Sequence, residues 1–343
     1  MMRYKALALQ TTCYAINSCA NPEASREKML QNIERISNQI RASKAFIGND
    51  LKLVVLPEYT VSGFPMGESI AQWKAKACIS EGDHIYLAFS NMAKNNGIYL
   101  SFNAYEIDPH FPEMYFQSSF IFDPEGSKIL TYRRLNSMYA PTPHDVLQKY
   151  LEIYGYEGLF PVVRTPIGNL ACIASEEILY PEIARCLMTF GAEIFLHASS
   201  EVGSNLLTQK NVAKLARAIE NMAYVVSANS AGIADTSIPM SSTDGASKII
   251  QYEGIILSEA GYGESMVANA TIDLAALRAH RHRPGMSNFI GRQRFELYAP
   301  SYQKTFYPAD NWPENTPDRS HFSKTQETTI QQLLFNKIIE PTP

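Results

Sequence analysis

Ser175 closes the apolar run Asn169-Leu-Ala-Cys-Ile-Ala174 and opens onto Glu176-Glu-Ile-Leu-Tyr-Pro-Glu182. A small hydroxyl side chain therefore stands between a strand and a helix whose first turn carries Pro181 and Glu182. A serine hydroxyl attacks carbon only as a base removes its proton, whereas a thiol is already a few per cent ionised near neutrality. Glu58 ends a second apolar run, Leu53-Val-Val-Leu-Pro-Glu58. A carboxylate at the end of a buried strand is costly unless it is paired or used, so Glu58 is a candidate base, with a turn cap after Pro57 as the plainer alternative. Arg134 follows Ile129-Leu-Thr-Tyr-Arg133. Its guanidinium can steady a developing negative charge but cannot give up a proton near neutral pH.

These three blocks, in this order, resemble the nitrilase or carbon-nitrogen hydrolase superfamily. Leu53-Val-Val-Leu-Pro-Glu-Tyr-Thr-Val-Ser-Gly-Phe-Pro65 is similar to the block that carries a general-base glutamate. Ile129 to Asn136 is similar to the Tyr-Arg-Lys block, and Ser175 with Glu177, Tyr180, Pro181 and Glu182 to the cysteine block. Ala216-Arg-Ala-Ile-Glu-Asn-Met-Ala-Tyr-Val-Val-Ser-Ala-Asn-Ser-Ala-Gly232 resembles the helix and strand that follow, and Gly245-Ala-Ser-Lys-Ile-Ile250, Glu259-Ala-Gly261 and Ile272-Asp-Leu274 extend the likeness, which runs from Tyr4 to Arg294. The resemblance implies an α/β fold, a four-layer αββα sandwich. It also implies hydrolysis of a small amide, nitrile or related C–N compound, without metal or organic cofactor, in a homodimer or larger assembly. Glu58 would be the base, Ser175 the nucleophile in place of cysteine, and Arg134 the oxyanion stabiliser in place of lysine. Tyr59, Tyr139, His197 and Ser199 are the residues expected to contact substrate.

Two of the three catalytic positions thus depart from the pattern, and so does a fourth. The second glutamate common in the family would fall at Pro141 or Thr142, and the nearest acid, Asp145, reads more readily as a loop cap. Cys172 is no substitute for Ser175, because an offset of three along a strand turns it to the opposite face. Three readings stay open. In the first, Ser175 forms an acyl intermediate and Glu58 takes its proton. In the second, the protein is catalytically silent and binds a small carboxylate or carboxamide metabolite, or supports a partner enzyme, with Arg134 as a carboxylate clamp. In the third, Glu58 acts on substrate or water while Ser175 only donates a hydrogen bond.

The elements that must hold these residues alternate between strand-like and helical patterns, as layered α/β architecture requires. Strands are expected at Ala6 to Gln10, Leu53 to Leu56, Ile98 to Tyr105, Glu193 to His197, Tyr224 to Asn229 and Met266 to Ile272. Hairpins are expected at Tyr115 to Phe122 with Lys128 to Tyr132, around Asp123-Pro-Glu-Gly126, and at Ser247 to Tyr252 with Ile255 to Ala260. Helices are expected at Glu23 to Ala45, where Met29, Ile33, Ile36 and Ile40 share a stripe, at Ile85 to Lys94, at Leu207 to Met222 and from Leu274. Residues 1–299 read as one carbon-nitrogen hydrolase-like domain. Residues 300–343 read as a tail, rich in Pro, Asn, Asp and Thr before the apolar stretch Ile330 to Ile339, that packs on the body or on a partner subunit.

With 45% hydrophobic and 19% charged residues among 343, the chain can bury one large core. A formal net charge of −4 argues against a nucleic-acid binder. Arg278, Arg281, Arg283, Arg292 and Arg294 form a local basic run that reads as a solvated or subunit-interface segment. Five cysteines without Cys-x-x-Cys spacing suggest reduced thiols, and the N-terminal apolar run is too short for a signal peptide, so a cytoplasmic location without membrane attachment is expected.

Overall fold

Both faces of the strands are apolar, and that pattern builds the layers. In the first strand, Ala6 and Ala8 turn to one core and Leu7 and Leu9 to another, and Leu53 and Val55 alternate with Val54 and Leu56 in the same way. A period-two chain buried on both sides needs a cover on each face, here a second sheet on one and helices on the other. The structure, a computed structural model, describes residues 2–201 and 207–342.

Strands β1 (Arg3–Ala8) and β2 (Cys13–Tyr14) precede helix α1 (Pro22–Ile47), β3 (Leu51–Val55), α2 (Ile70–Ala77), α3 (His84–Asn96), β4 (Tyr99–Glu106), β5 (Phe116–Phe122) and β6 (Lys128–Arg133). Then follow α4 (Leu147–Tyr154), β7 (Val163–Thr165), β8 (Gly168–Ala174), α5 (Pro181–Thr189), β9 (Ile194–Ala198), α6 (Gln209–Asn221) and β10 (Tyr224–Ala228). The remainder is β11 (Ile233–Ala234), β12 (Lys248–Ile250), β13 (Ile256–Glu259), β14 (Asn269–Asp273), α7 (Leu274–His282), α8 (Phe295–Tyr302) and α9 (Ser320–Phe335).

One sheet has the order β14-β1-β3-β4-β5-β6 and the other β13-β12-β10-β9-β8-β7, while β2 and β11 pair separately. The inner faces meet through Tyr4, Ile121, Leu130 and Tyr132 from the first sheet and Cys172, Leu196 and Val226 from the second. Helix α1 covers the outer face of the first sheet with the stripe Met29, Ile33, Ile36 and Ile40, beside Phe89 and Met92 of α3. Ile183, Leu187 and Ala218 of α5 and α6 cover the second. The result is the αββα sandwich.

Helix α1 starts and stops where its sequence says it should. The Asn21 side chain accepts from the Ala24 N–H, Pro22 occupies the first turn, and Gly48 ends the helix. Six elements were not read from the sequence: β2, α2, α4, β7, β11 and α8. The expected boundary at 299/300 falls inside α8, and the tail lies along the body of its own chain. There the Asp310 and Trp312 N–H groups donate to the carbonyls of His144 and Asp145, and Arg319 Nε donates to the Glu68 carbonyl at 2.8 Å. The expected apolar tail segment begins within α9, whose Phe322 and Thr329 are buried. Two arginines of the basic run are used structurally, Arg278 gripping Glu193 with two hydrogen bonds of 2.7 and 2.9 Å and Arg281 capping the carbonyls of Ala192, Asn221 and Met222, while Arg283, Arg292 and Arg294 are exposed, as expected of a solvated segment.

Candidate active site

Four strands end at the same rim. Glu58 lies three residues beyond β3, Arg134 directly after β6, Ser175 directly after β8 and Ser199 directly after β9. Residues just past the carboxyl ends of parallel strands are where an α/β fold presents side chains to a crevice. The Glu58 N–H donates to the Ser199 carbonyl at 3.2 Å, which ties the two sheets together at this rim. Glu58, Tyr59, Arg134, Tyr139 and Ser175 all line a cleft of about 460 Å³ there, together with Tyr105 and Gln117.

Ser175 sits at φ 51°, a left-handed conformation unusual for a residue with a Cβ. Such strain persists only where the surroundings over-determine it. His197 is one cause. It is fully buried, and its Nε2 donates to the Ser175 carbonyl at 2.8 Å, so its Nδ1 accepts from the Ser227 hydroxyl at 2.8 Å. Burial holds the imidazole neutral, with its pKa lowered to about 3. Glu177 is the other cause. Its carboxylate accepts from the backbone N–H of Leu135 at 2.6 Å, Asn136 at 3.0 Å and Ala174 at 3.3 Å, and from the Tyr132 hydroxyl at 2.7 Å. It thereby clamps the segment after Arg134 to the turn at Ser175. Burial pushes the Glu177 pKa up to about 7, against the pull of Arg134 and these hydrogen bonds.

Arg134 is the centre of the polar cluster. Its Nη1 donates to Gln117 Oε1 at 2.7 Å and to Glu58 Oε1 at 3.2 Å, its Nη2 pairs with Glu176, and its Nε donates to the Asn136 carbonyl at 2.6 Å. Burial opposes the guanidinium charge, and Tyr59, Glu58 and Glu176 outweigh it, so the pKa of Arg134 is raised. Gln117 Nε2 donates a further bond of 2.6 Å to Glu58 Oε1. Among the described residues no hydrogen bond joins Glu58 to the Ser175 hydroxyl; Lys210 Nζ lies 3.4 Å from Ser175 Oγ.

Tyr59 stacks on Tyr105 with ring centroids 5.7 Å apart, forming one wall, and Tyr139 stands exposed at the mouth. His197 and Ser199, expected among the substrate contacts, do not line the cleft: both are fully buried, His197 acting through its imidazole on the Ser175 carbonyl and Ser199 through its own carbonyl on the Glu58 N–H. Asp145 caps its own turn by accepting from the Thr142 N–H and hydroxyl, and it lies outside the cleft. Cys172 is a core thiol 3.8 Å from Ser101 Oγ, its pKa pushed up to about 12 by burial. Sequence reasoning missed Gln117 and Lys210. A polar Gln-Ser-Ser triplet inside the apolar strand Phe116–Phe122 was the signal for the first; nothing in the spacing marks the second.

Residues 9–282 match the family model described as carbon-nitrogen hydrolase. Formamidases of Bacillus thuringiensis and Bacillus cereus are 29% identical over 211 residues, 61% of this chain, and the chain spans 58% of their length. Among solved structures, Saccharomyces cerevisiae Nit3, a member of branch 10 of the nitrilase superfamily, superposes with a TM-score of 0.64 at 20% identity, covering 82% of this chain and 93% of that one. A cysteine-to-serine mutant of the Nesterenkonia AN1 amidase superposes with a TM-score of 0.59 at 20% identity over 88% of this chain and 97% of its own. These likenesses carry the fold.

Proposed function

The chain belongs to the carbon-nitrogen hydrolase family, and on that premise we propose that it hydrolyses the C–N bond of a small carboxamide through an acyl intermediate on Ser175. The observation that carries this reading is the convergence of Glu58, Arg134 and Ser175 on one cleft, with Ser175 raised on a left-handed turn. Formamidase and amidase relatives favour an amide over a nitrile. Glu58 takes the serine proton, directly or through a water, as Oγ bonds to the carbonyl carbon. Arg134 sets the charge of the site by fixing Glu58 and Glu176, and it faces the oxygen on which charge develops. The aromatic wall of Tyr59 and Tyr105 and the modest volume suit a short acyl group.

The test is ammonia release from formamide, acetamide, propionamide, butyramide and aromatic amides, comparing the natural protein with Ser175→Ala. Release that Ser175→Ala abolishes supports the reading, and release unchanged in that variant sinks it.

A catalytically silent binder is the second reading, and a specific observation favours it. Arg134 is already committed to Glu58, Gln117 and Glu176, and Glu58 has no hydrogen bond to Ser175. On that reading the natural protein releases no ammonia, whereas Ser175→Cys combined with Arg134→Lys does. In either case the chain is proposed to be cytoplasmic and at least dimeric. Leu179, Tyr180, Val212, Ile219 and Tyr298 are exposed around α5, α6 and α8 and supply an apolar face for a second copy. No helix among the described residues is long and apolar enough to cross a membrane.

A further inference from the structure

We infer that Lys210 is a catalytic residue: its ammonium holds the Ser175 oxygen and delivers the proton that the departing nitrogen needs. This inference rests on the amide-hydrolase reading and names a group which that reading leaves unassigned. An amide does not expel its nitrogen as an anion, so the C–N bond breaks only as a proton arrives there. Arg134 cannot supply one, because a guanidinium does not give up its proton near neutral pH. Glu58 is turned towards Arg134 Nη1 at 3.2 Å and Gln117 Nε2 at 2.6 Å, and can return only the proton it has taken from Ser175. Lys210 Nζ, 3.4 Å from Ser175 Oγ and on the wall of the same cleft, carries protons it can release.

The local fold presents it there. Thr208 caps α6 by accepting from the Asn211 N–H, which starts the helix beside the cleft and places Lys210 in its first turn. Arg217, two turns on, donates from Nε to the Ile178 carbonyl at 2.9 Å and so fixes α6 against the segment that carries Ser175. The nearby acid Glu201 is already paired with the buried Lys214. A distance of 3.4 Å is long for a hydrogen bond, and catalytic contacts of this kind often tighten in the complex with substrate.

The protons balance. As Oγ bonds to the carbonyl carbon, the Ser175 proton passes to Glu58. As the C–N bond breaks, one Lys210 proton passes to nitrogen, which leaves as ammonia. Ser175 is then acylated, Glu58 protonated and Lys210 neutral. In the second half, water bonds to the acyl carbon and loses a proton to Lys210. The serine oxygen departs with the Glu58 proton, and both charged groups are restored.

The test has two arms. In the first, ammonia release is compared among the natural protein, Ser175→Ala, Lys210→Met and Lys210→Arg. The inference expects kcat to fall about 100-fold in both Lys210 variants, because arginine keeps the charge but not the transferable proton. Amide turnover that needs Ser175 but persists at the natural kcat in Lys210→Met or Lys210→Arg overturns the inference and leaves the amide reading standing. A natural protein silent on every amide overturns the amide reading instead, and the second arm then decides the contact alone. In that arm the thiol of Ser175→Cys is titrated by its rate of iodoacetamide alkylation against pH. Adding Lys210→Met should raise the thiol pKa by about 1, and adding Lys210→Arg should leave it nearly unchanged. Identical thiol pKa values with and without Lys210→Met would place no Lys210 charge at position 175, and the inference would be wrong.

Discussion

Arg134 explains why this site cannot be read as a cysteine site with one atom exchanged. A buried guanidinium needs acceptors on every edge, and it has found them in Glu58, Gln117, Glu176 and the Asn136 carbonyl. Removing it leaves buried Glu58 without its cationic partner. Arg134→Met should therefore cost on the order of 3 kcal/mol in urea unfolding, and a midpoint unchanged from the natural protein would mean that the cluster contributes nothing net. Glu58, Arg134 and Ser175 were legible because the blocks that carry them resemble the three catalytic blocks of a known family; Glu58 also stands out as a carboxylate at the end of a buried apolar run. Gln117 and Lys210 were not. One is 59 residues from Glu58, the other 35 from Ser175, and only the closed fold makes them neighbours. His197 was legible as a residue near the cleft but not in its role, because strand alternation does not say which side of the rim a buried imidazole faces.

The strand ends, each followed by a short turn, are the elements that matter most. The turn after β8 is held in a strained conformation by His197 and Glu177, and the two groups make opposite contributions to pH dependence. His197 has a folded pKa near 3 against 6.5 in the unfolded chain. Below pH 6.5 the unfolded state binds the extra proton, so this stabilisation is lost as pH falls from 6.5 towards 3, by about 1.4 kcal/mol per pH unit. Glu177, raised from 4.5 to about 7, favours the folded state most below pH 4.5, and that advantage is lost as pH rises to 7. A melting curve of the natural protein alone mixes the two. His197→Gln keeps a donor for the Ser175 carbonyl and an acceptor for Ser227 but does not titrate, so its melting temperature should gain on that of the natural protein as pH drops from 6.5 to 4.5. Parallel curves would show that His197 is not held neutral. Long elements such as α1 were legible from their apolar stripe, whereas α2 and α4, of eight residues each, are too short for periodicity to separate them from loops.

The whole molecule adds a strap to the sandwich. Arg319, from the tail, donates to the Tyr139 carbonyl and, at 3.1 Å, to the Tyr115 hydroxyl, and thereby fixes the residue at the cleft mouth from outside the two sheets. Arg319→Ala should lower stability by about 2 kcal/mol and raise KM for amides more than it lowers kcat; an unaltered KM would separate the tail from the site. Layered α/β architecture followed from the alternation of strand and helix patterns, and the four-layer sandwich from the resemblance of the three site blocks to a known family. The course of the tail did not, because Pro-, Asn- and Thr-rich chain has no period, and its position depends on single contacts such as those of Arg319 and Trp312. At this scale the amide reading also requires an ordinary two-step hydrolase, in which the enzyme is covalently modified between ammonia release and acid release. The most direct measurement is mass spectrometry of the protein quenched in acid during turnover of propionamide. The account predicts a propionyl group on the peptide that carries Ser175, absent from Ser175→Ala. Ammonia released without any acyl adduct, at equal rates in both proteins, would contradict it.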